Sequence, residues 1–302
     1  MLYKNAISQA MVDALRNDER VVIIGQNVTT PHGVFGTVSE AARLFPKRVL
    51  EMPISETMMT GACVGLAMEG WKPILVHTRA DFSLFSFEHL INTAAKFNFL
   101  HGEPLPFIMR CVVGRGWGQG PVHSQSWHHL LAQIPGLDVF MPVLPGRYHR
   151  WLKSALESGT PTIIFEPRRL YDHDLLGMSD QKYYPLPDIT IFALGDMVLE
   201  GYEAVKVLEG MGVRPNLHVW EHVVELPSTD HPYLLVDTVV HRPSPGIVSP
   251  PFIPQGASVP MERMWYPSAR DIVVRVCQLL GKTPPAEVES HASDIAVPTS
   301  AF

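Results

Sequence analysis

A two-domain α/β protein, with parallel-type sheets flanked by helices, is the fold predicted by three features of the sequence. Short, mostly apolar runs at 21–24, 49–52, 73–77 and 106–113 alternate with helix-period stretches, the pattern of strands buried on both faces. The alternation restarts at 189–194, after a Pro-containing stretch at 171–187 that reads as a connector. A chain of 302 residues, 46% of them hydrophobic, also exceeds what one core usually holds.

In order, residues 3–17 place Ala6, Ala10, Met11, Ala14 and Leu15 at helical spacing, and 21–24 form a first strand. Strand 49–52 runs into Pro53, and the small-residue run 60–67 predicts a tightly packed, buried helix in which glycines permit close approach. Strand 73–77, helix 85–99, strand 106–113, strand 138–141, helix 147–157 and strand 162–165 complete a first domain over 1–172. After a linker at 173–188, strand 189–194, helix 199–210, strands 216–220 and 233–236 and a last helix at 268–280 make a shortened second domain over 189–282. Residues 241–260 are proline-rich and aperiodic and predict loop. The Pro, Ser and Ala-rich tail, 283–302, has little to bury and predicts disorder.

A net charge of −6 offers no basic stripe for nucleic acid or an anionic membrane. No run nears the roughly 20 apolar residues of a membrane span, and the N-terminus lacks a targeting pattern, so a soluble, cytoplasmic protein is expected. Cys63, Cys111 and Cys277 have neither metal-ligand nor redox spacing and read as packing residues. His128 and His129 have no third ligand nearby in sequence, so no metal site is expected on this chain.

Three clusters carry candidate chemistry. Glu56 stands between a buried strand and a buried helix, at the carboxyl end of a parallel strand where such sheets place ligands. Desolvation there would raise its pKa and make it a proton donor or acceptor; the plainer reading is that Ser55 or Glu56 caps the helix. Phe82, directly after strand 73–77, is either core or a platform for a flat heterocycle, worth about 1 kcal/mol beyond burial. The glycine-rich loop 114–125 ends in His123, Ser124 and Gln125, and His123 is either an acid–base group or an ordinary loop histidine. The glycines match neither a phosphate loop nor a dinucleotide fingerprint, and no Gly-Asp-Gly element exists to hold a magnesium diphosphate.

Together these clusters resemble the beta subunit of the 2-oxo acid dehydrogenase decarboxylase component, the group of pyruvate, branched-chain 2-oxo acid and acetoin dehydrogenases. The matching text is 33–35, 53–56, 80–82, 91–96, 120–126, 135–139 and 165–167, then more thinly 190–195, 204–212 and 257–272. The resemblance implies a transketolase-like pyrimidine-binding domain, a transketolase C-terminal domain, and thiamine diphosphate shared with an alpha-type subunit that binds the diphosphate through magnesium, in an alpha2beta2 assembly. It implies that Ile54, Glu56 and Phe82 contact the aminopyrimidine. Glu56 would hydrogen-bond N1′, favouring the tautomer whose exocyclic nitrogen takes the thiazolium proton. His123 would face the substrate.

Departures from the family's pattern shape what is expected. Gln26 and Asn27 stand where the family has an acidic pair, and Ser158 and Thr160 where it has acidic and amide residues near a cation loop. The stretch 240–260 lacks the family's glycine-rich turn, helix and strand. Two activities fit: a dehydrogenase component serving a lipoyl acyltransferase, or a transketolase-like enzyme passing a fragment to another acceptor. A non-catalytic assembly subunit is the alternative from another class.

Overall fold

The computed structural model of the chain describes residues 1–116, 118–174, 183–225, 227–239, 244, 246–251, 255 and 257–286. The expected tail beyond 286, the middle of the expected linker and much of 240–256 lie outside the described residues. The described residues of Met1–Val113, Ser126–Leu176 and His222–Val224 form one unit, and those of Gly114–Gln125, Gly177–Glu221 and Glu225–Phe302 another.

In the first unit, helix α1 (Tyr3–Asn17) buries Tyr3, Ile7, Met11 and Leu15 on one face, as its spacing requires. Strands β1 (Val21–Gly25), β2 (Val49–Glu51), β3 (Lys72–His77), β4 (Ile108–Val113), β5 (Asp138–Phe140) and β6 (Thr162–Pro167) form one sheet in the order β2-β1-β3-β4-β6-β5, every pairing parallel. Helices α2 (Ser39–Leu44), α3 (Glu56–Met68), α4 (Ala95–His101), α5 (His128–Ala132) and α6 (Pro145–Ser158) make the connections. β1, β4 and β6 are buried along their whole length, which is why they read as mostly apolar rather than alternating runs.

One buried ion pair crosses this core. Arg110 on β4 donates from Nε and Nη2 to the two carboxylate oxygens of Glu166 on β6, at 2.6 and 2.9 Å, and both side chains are fully buried. The hydroxyls of Tyr148 and Tyr171 donate to the same carboxylate. Two cationic donors and two phenols thus satisfy the lone pairs that burial strips of water, as a buried charge demands.

The second unit holds β7 (Ile189–Leu194), α7 (Met197–Gly210), β8 (Pro215–Trp220), β9 (Tyr233–Val236), β10 (Ile247–Val248), α8 (Val259–Trp265) and α9 (Ala269–Leu279). Its sheet is again parallel, in the order β10-β9-β7-β8. α9 begins at a capping box: Asp271 N–H donates to Ser268 Oγ, and Ser268 N–H donates back to the Asp271 carboxylate.

Three sequence expectations need correction. The single helix expected over 85–99 is broken into a 3-10 turn (Ala80–Ser86), a π turn (His89–Ala94) and α4. The π turn lays the His89 ring against α3, where a Cβ on Gly61 would lie 3.1 Å from Nε2. The loop expected over 241–260 contains β10 and the start of α8. Two residues of strand are too short to show a period, and they exist because Ile247 and Val248 pair with Leu235 and Val236. Finally, α3 is not buried all round: Met58, Ala62, Gly65 and Met68 are exposed, and among the described residues nothing covers that face.

Candidate active site

The carboxyl edge of the first sheet gathers the loop after β1, the first turn of α3 and the turn after β3. The loop after β1 is tight. Asn27, Val34 and Phe35 all take positive φ (59°, 47° and 58°), a conformation that costs a β-branched residue such as Val34 most. Glu51, at the end of β2, holds the loop down by accepting from the N–H groups of Asn27, Val28 and Thr29 at 2.5, 2.8 and 2.9 Å. Burial pushes the Glu51 carboxyl up, but these amides and the Thr29 hydroxyl outweigh it and hold the group below its ordinary value. Phe35, carried by this loop, receives the guanidinium groups of Arg79 and Arg168 at 5.2 and 4.8 Å from its ring centroid.

Glu56 is the first residue of α3. Its carboxylate is half-buried and accepts no hydrogen bond among the described residues, and Ser55 at the N-cap makes no side-chain cap bond either. The side-chain cap is therefore absent, and Glu56, expected to be desolvated, is only half-buried in this chain. Ile54, on the bend before it, is 84% exposed. Phe82 lies half-buried in the turn Ala80–Ser86, and this turn is tied to α3 because Thr57 Oγ1 donates to Phe85 O at 2.9 Å. The structure thus brings Glu56 and Phe82 onto one hydrogen-bonded framework. The exposed side chains beside them, Ile54 and Phe85 (63%), leave it open on one side.

Sequence reasoning missed how that framework is built. His77 ends β3, is almost fully buried, and has Nε2 3.2 Å from Ser86 Oγ; Ser86 Oγ is 2.7 Å from Thr60 Oγ1. Burial pushes the His77 pKa down to about 4, so the ring is neutral at pH 7. The available signal was a polar residue closing an otherwise apolar strand.

His123 belongs to the second unit, because the loop Gly114–Gln125 is fastened there by buried charges. Arg115 Nε donates to Asp196 Oδ2 at 2.6 Å, and its guanidinium sits 4.3 Å from the Tyr266 ring centroid. Gly116 N–H donates to Glu262 Oε2 at 2.8 Å, while Gln255 Nε2 donates to Oε1 at 3.0 Å. Burial raises the Glu262 carboxyl above its ordinary value, and the amides of Gly116 and Gly118 recover only part of that. Gly118 (φ +68°) packs so close to the chain that a Cβ would lie 2.8 Å from Val259 N. His123, half-buried, immediately precedes the Ser124–Gln125 end of that loop, whose Ser124 carbonyl lies 3.5 Å from Tyr266 Oη.

Residues 1–173 match the family described as the transketolase, pyrimidine binding domain. The chain belongs to this family. It is 32% identical over 235 residues to the beta subunit of acetoin:2,6-dichlorophenolindophenol oxidoreductase of Bacillus subtilis, covering 69% of this chain and 68% of that one. It is 30% identical over 240 residues to the 2-oxoisovalerate dehydrogenase beta subunit of the same organism, covering 75% and 71%. Among solved structures, a split-gene transketolase described as an inactive beta4 tetramer shares the fold with a TM-score of 0.71 at 20% identity, covering 93% of this chain and 98% of that one. A transketolase from Pichia stipitis in complex with sedoheptulose-7-phosphate aligns with a TM-score of 0.69 at 15% identity, over 96% of this chain and 48% of that one. The family resemblance is confirmed, as is the α/β fold. No helix of the described residues is long and apolar enough to cross a membrane.

Proposed function

We propose that this family member is the beta-type subunit of a two-subunit thiamine diphosphate enzyme, one that cleaves a 2-oxo acid or ketose next to its carbonyl and transfers the acyl or ketol fragment. The carrying observation is Glu56: a carboxylate on the ligand-binding edge of a parallel sheet, free of any fold-sustaining hydrogen bond among the described residues, beside an aromatic turn. The free carboxylate, the neighbouring ring and the open side fit an aminopyrimidine. Ile54, Glu56 and Phe82 would hold it. When bound, the cofactor supplies the carbanion-stabilising chemistry.

The chain's own residues have simpler tasks. Glu56 holds or accepts a proton at the pyrimidine ring nitrogen, Phe82 orients the ring by stacking, and His123 offers a hydrogen bond or proton to the substrate. Nothing like a Gly-Asp-Gly diphosphate element is present in the sequence, which supports assigning diphosphate and magnesium to an alpha-type partner in an alpha2beta2 assembly. The uncovered face of α3 and the exposed Ile54 and Phe85 support the same dependence on a second chain. The Bacillus subtilis relatives are named as beta subunits, and the split-gene transketolase chain is described as inactive in its beta4 form.

The test is co-expression with an alpha-type chain, followed by measurement of bound thiamine diphosphate and of 2-oxo acid or ketose turnover. Glu56→Gln is expected to lower turnover by about 10²-fold or more, the scale of a positioned proton-transfer group, without changing expression or assembly. Unchanged turnover would overturn the assignment and favour a non-catalytic assembly subunit.

A further inference from the structure

We infer that His77, Ser86 and Thr60 form a one-directional hydrogen-bond chain that positions Glu56 and Phe82 toward each other. This inference rests on the function proposed above. The direction follows from counting protons. Thr60 Oγ1 lies 2.7 Å from the main-chain oxygen of Glu56, which can only accept, so the single Thr60 hydroxyl proton goes there. Thr60 Oγ1 is then the acceptor in its 2.7 Å contact with Ser86 Oγ, and the Ser86 proton points to Thr60. Ser86 Oγ in turn accepts from His77 Nε2 at 3.2 Å, which requires the Nε2–H tautomer. The chain therefore reads His77 to Ser86 to Thr60 to the backbone of Glu56.

Its position gives it a function beyond packing. Ser86 closes the turn Ala80–Ser86 that carries Phe82, and this turn doubles back so that its last residue stands over the end of β3, nine residues after His77. Thr60 lies one helical turn past Glu56. Thr57 Oγ1 to Phe85 O, at 2.9 Å, is a second tie between the same two segments. The members of the chain are buried or nearly so, whereas Glu56 and Phe82 are only half-buried, so the protected groups set where the open ones stand. Aligned hydrogen bonds of this kind polarise and strengthen one another, which narrows the permitted geometry. His77, Ser86 and Thr60 are positioning residues, acting through Glu56 and Phe82.

Glutamine can place an amide N–H where His77 Nε2 donates, whereas asparagine places it nearer the Nδ1 position and cannot reach Ser86. His77→Gln and His77→Asn, each co-purified with the alpha-type chain, are therefore compared for thiamine diphosphate half-saturation by calorimetry, for kcat, and for Tm. The expected result is half-saturation raised about tenfold in His77→Asn and within about twofold of wild type in His77→Gln, with similar Tm values for the two variants. Equal half-saturation in both variants, or losses that track Tm alone, would show a merely structural histidine and overturn the inference. The ¹⁵N shifts of His77 in the wild-type chain give a readout independent of any cofactor: the Nε2–H tautomer is expected, and an Nδ1–H tautomer sinks the relay while leaving the proposed function standing. A wild-type complex that binds no thiamine diphosphate, with the Nε2–H tautomer intact, defeats the functional reading and the positioning role together.

Discussion

The edge that carries Glu56 and the loop that carries His123 are fixed by opposite means. On the Glu56 edge, the turn that carries Phe82 is tied to the first turn of α3 by neutral groups, a histidine, hydroxyls and carbonyls, so that tie depends on direction and tautomer. The His123 loop is held by charge: Arg115 against Asp196 and Glu200, and Glu262 against two glycine amides. A neutral hydrogen bond contributes about 0.5–1.5 kcal/mol net. Buried charges fail badly when one partner is removed, because the other is left desolvated and uncompensated. The two regions should therefore break under different perturbations.

The largest effect is expected at Arg115. Arg115→Met removes the Arg115 guanidinium from beside the carboxylates of Asp196 and Glu200, both nearly fully buried, and is expected to cost about 3–5 kcal/mol in chemical denaturation. A loss below about 1 kcal/mol would show that the charge network is not what fastens the loop. Next comes acid. The folded-state pKa of His77 is about 4 against an ordinary 6.5, so below pH 6.5 the unfolded state binds the extra proton and stability falls as pH drops, reaching its full loss near pH 4. That loss is about 3 kcal/mol, absent above pH 7, and it should vanish from the pH–stability curve of His77→Gln. A curve identical to wild type would show that His77 is not held neutral by burial.

Smaller effects sharpen the contrast. Gly118→Ala must place a Cβ 2.8 Å from Val259 N with the backbone at φ +68°, and is expected to cost about 1–3 kcal/mol through strain. Because the change bears on the loop and not on α3, it is also expected to spare thiamine diphosphate half-saturation in the co-purified complex. Smallest is Ser268→Ala, which removes the capping box of α9 and is expected to lower stability by about 1 kcal/mol with no effect on turnover.

Several elements were legible in the sequence. Helix 3–17 and strands 189–194 and 233–236 were expected with the limits they have, because each is a continuous apolar or 3.6-period pattern read within one segment. The placing of Glu56 and Phe82 after strands of the first sheet was legible because each follows a short strand-like run. Helix 85–99 was not, since its apolar spacing says nothing of a His89 ring lying over Gly61 on another helix. Strand β10 was invisible for want of length. The start of α8 was recoverable: Ser258 followed by Pro260 is an N-cap with proline in the first turn, and Ser258 Oγ does accept from Met261 N–H.

The sequence by itself determined the alternation of strands and helices, the parallel class of the sheets, the family, and the two side chains placed at the first sheet's edge. All of these follow from short-range patterns of burial and backbone preference. Only the tertiary structure decided that His77 meets Ser86 and Thr60, that Glu56 is left uncapped, and that the glycine-rich loop joins the second unit. Gly116 finds its acceptor, Glu262, 146 residues further along the chain. A pairing of that kind depends on which desolvated donor and acceptor the folded chain brings within 3 Å of each other, and no local pattern of residue types encodes it.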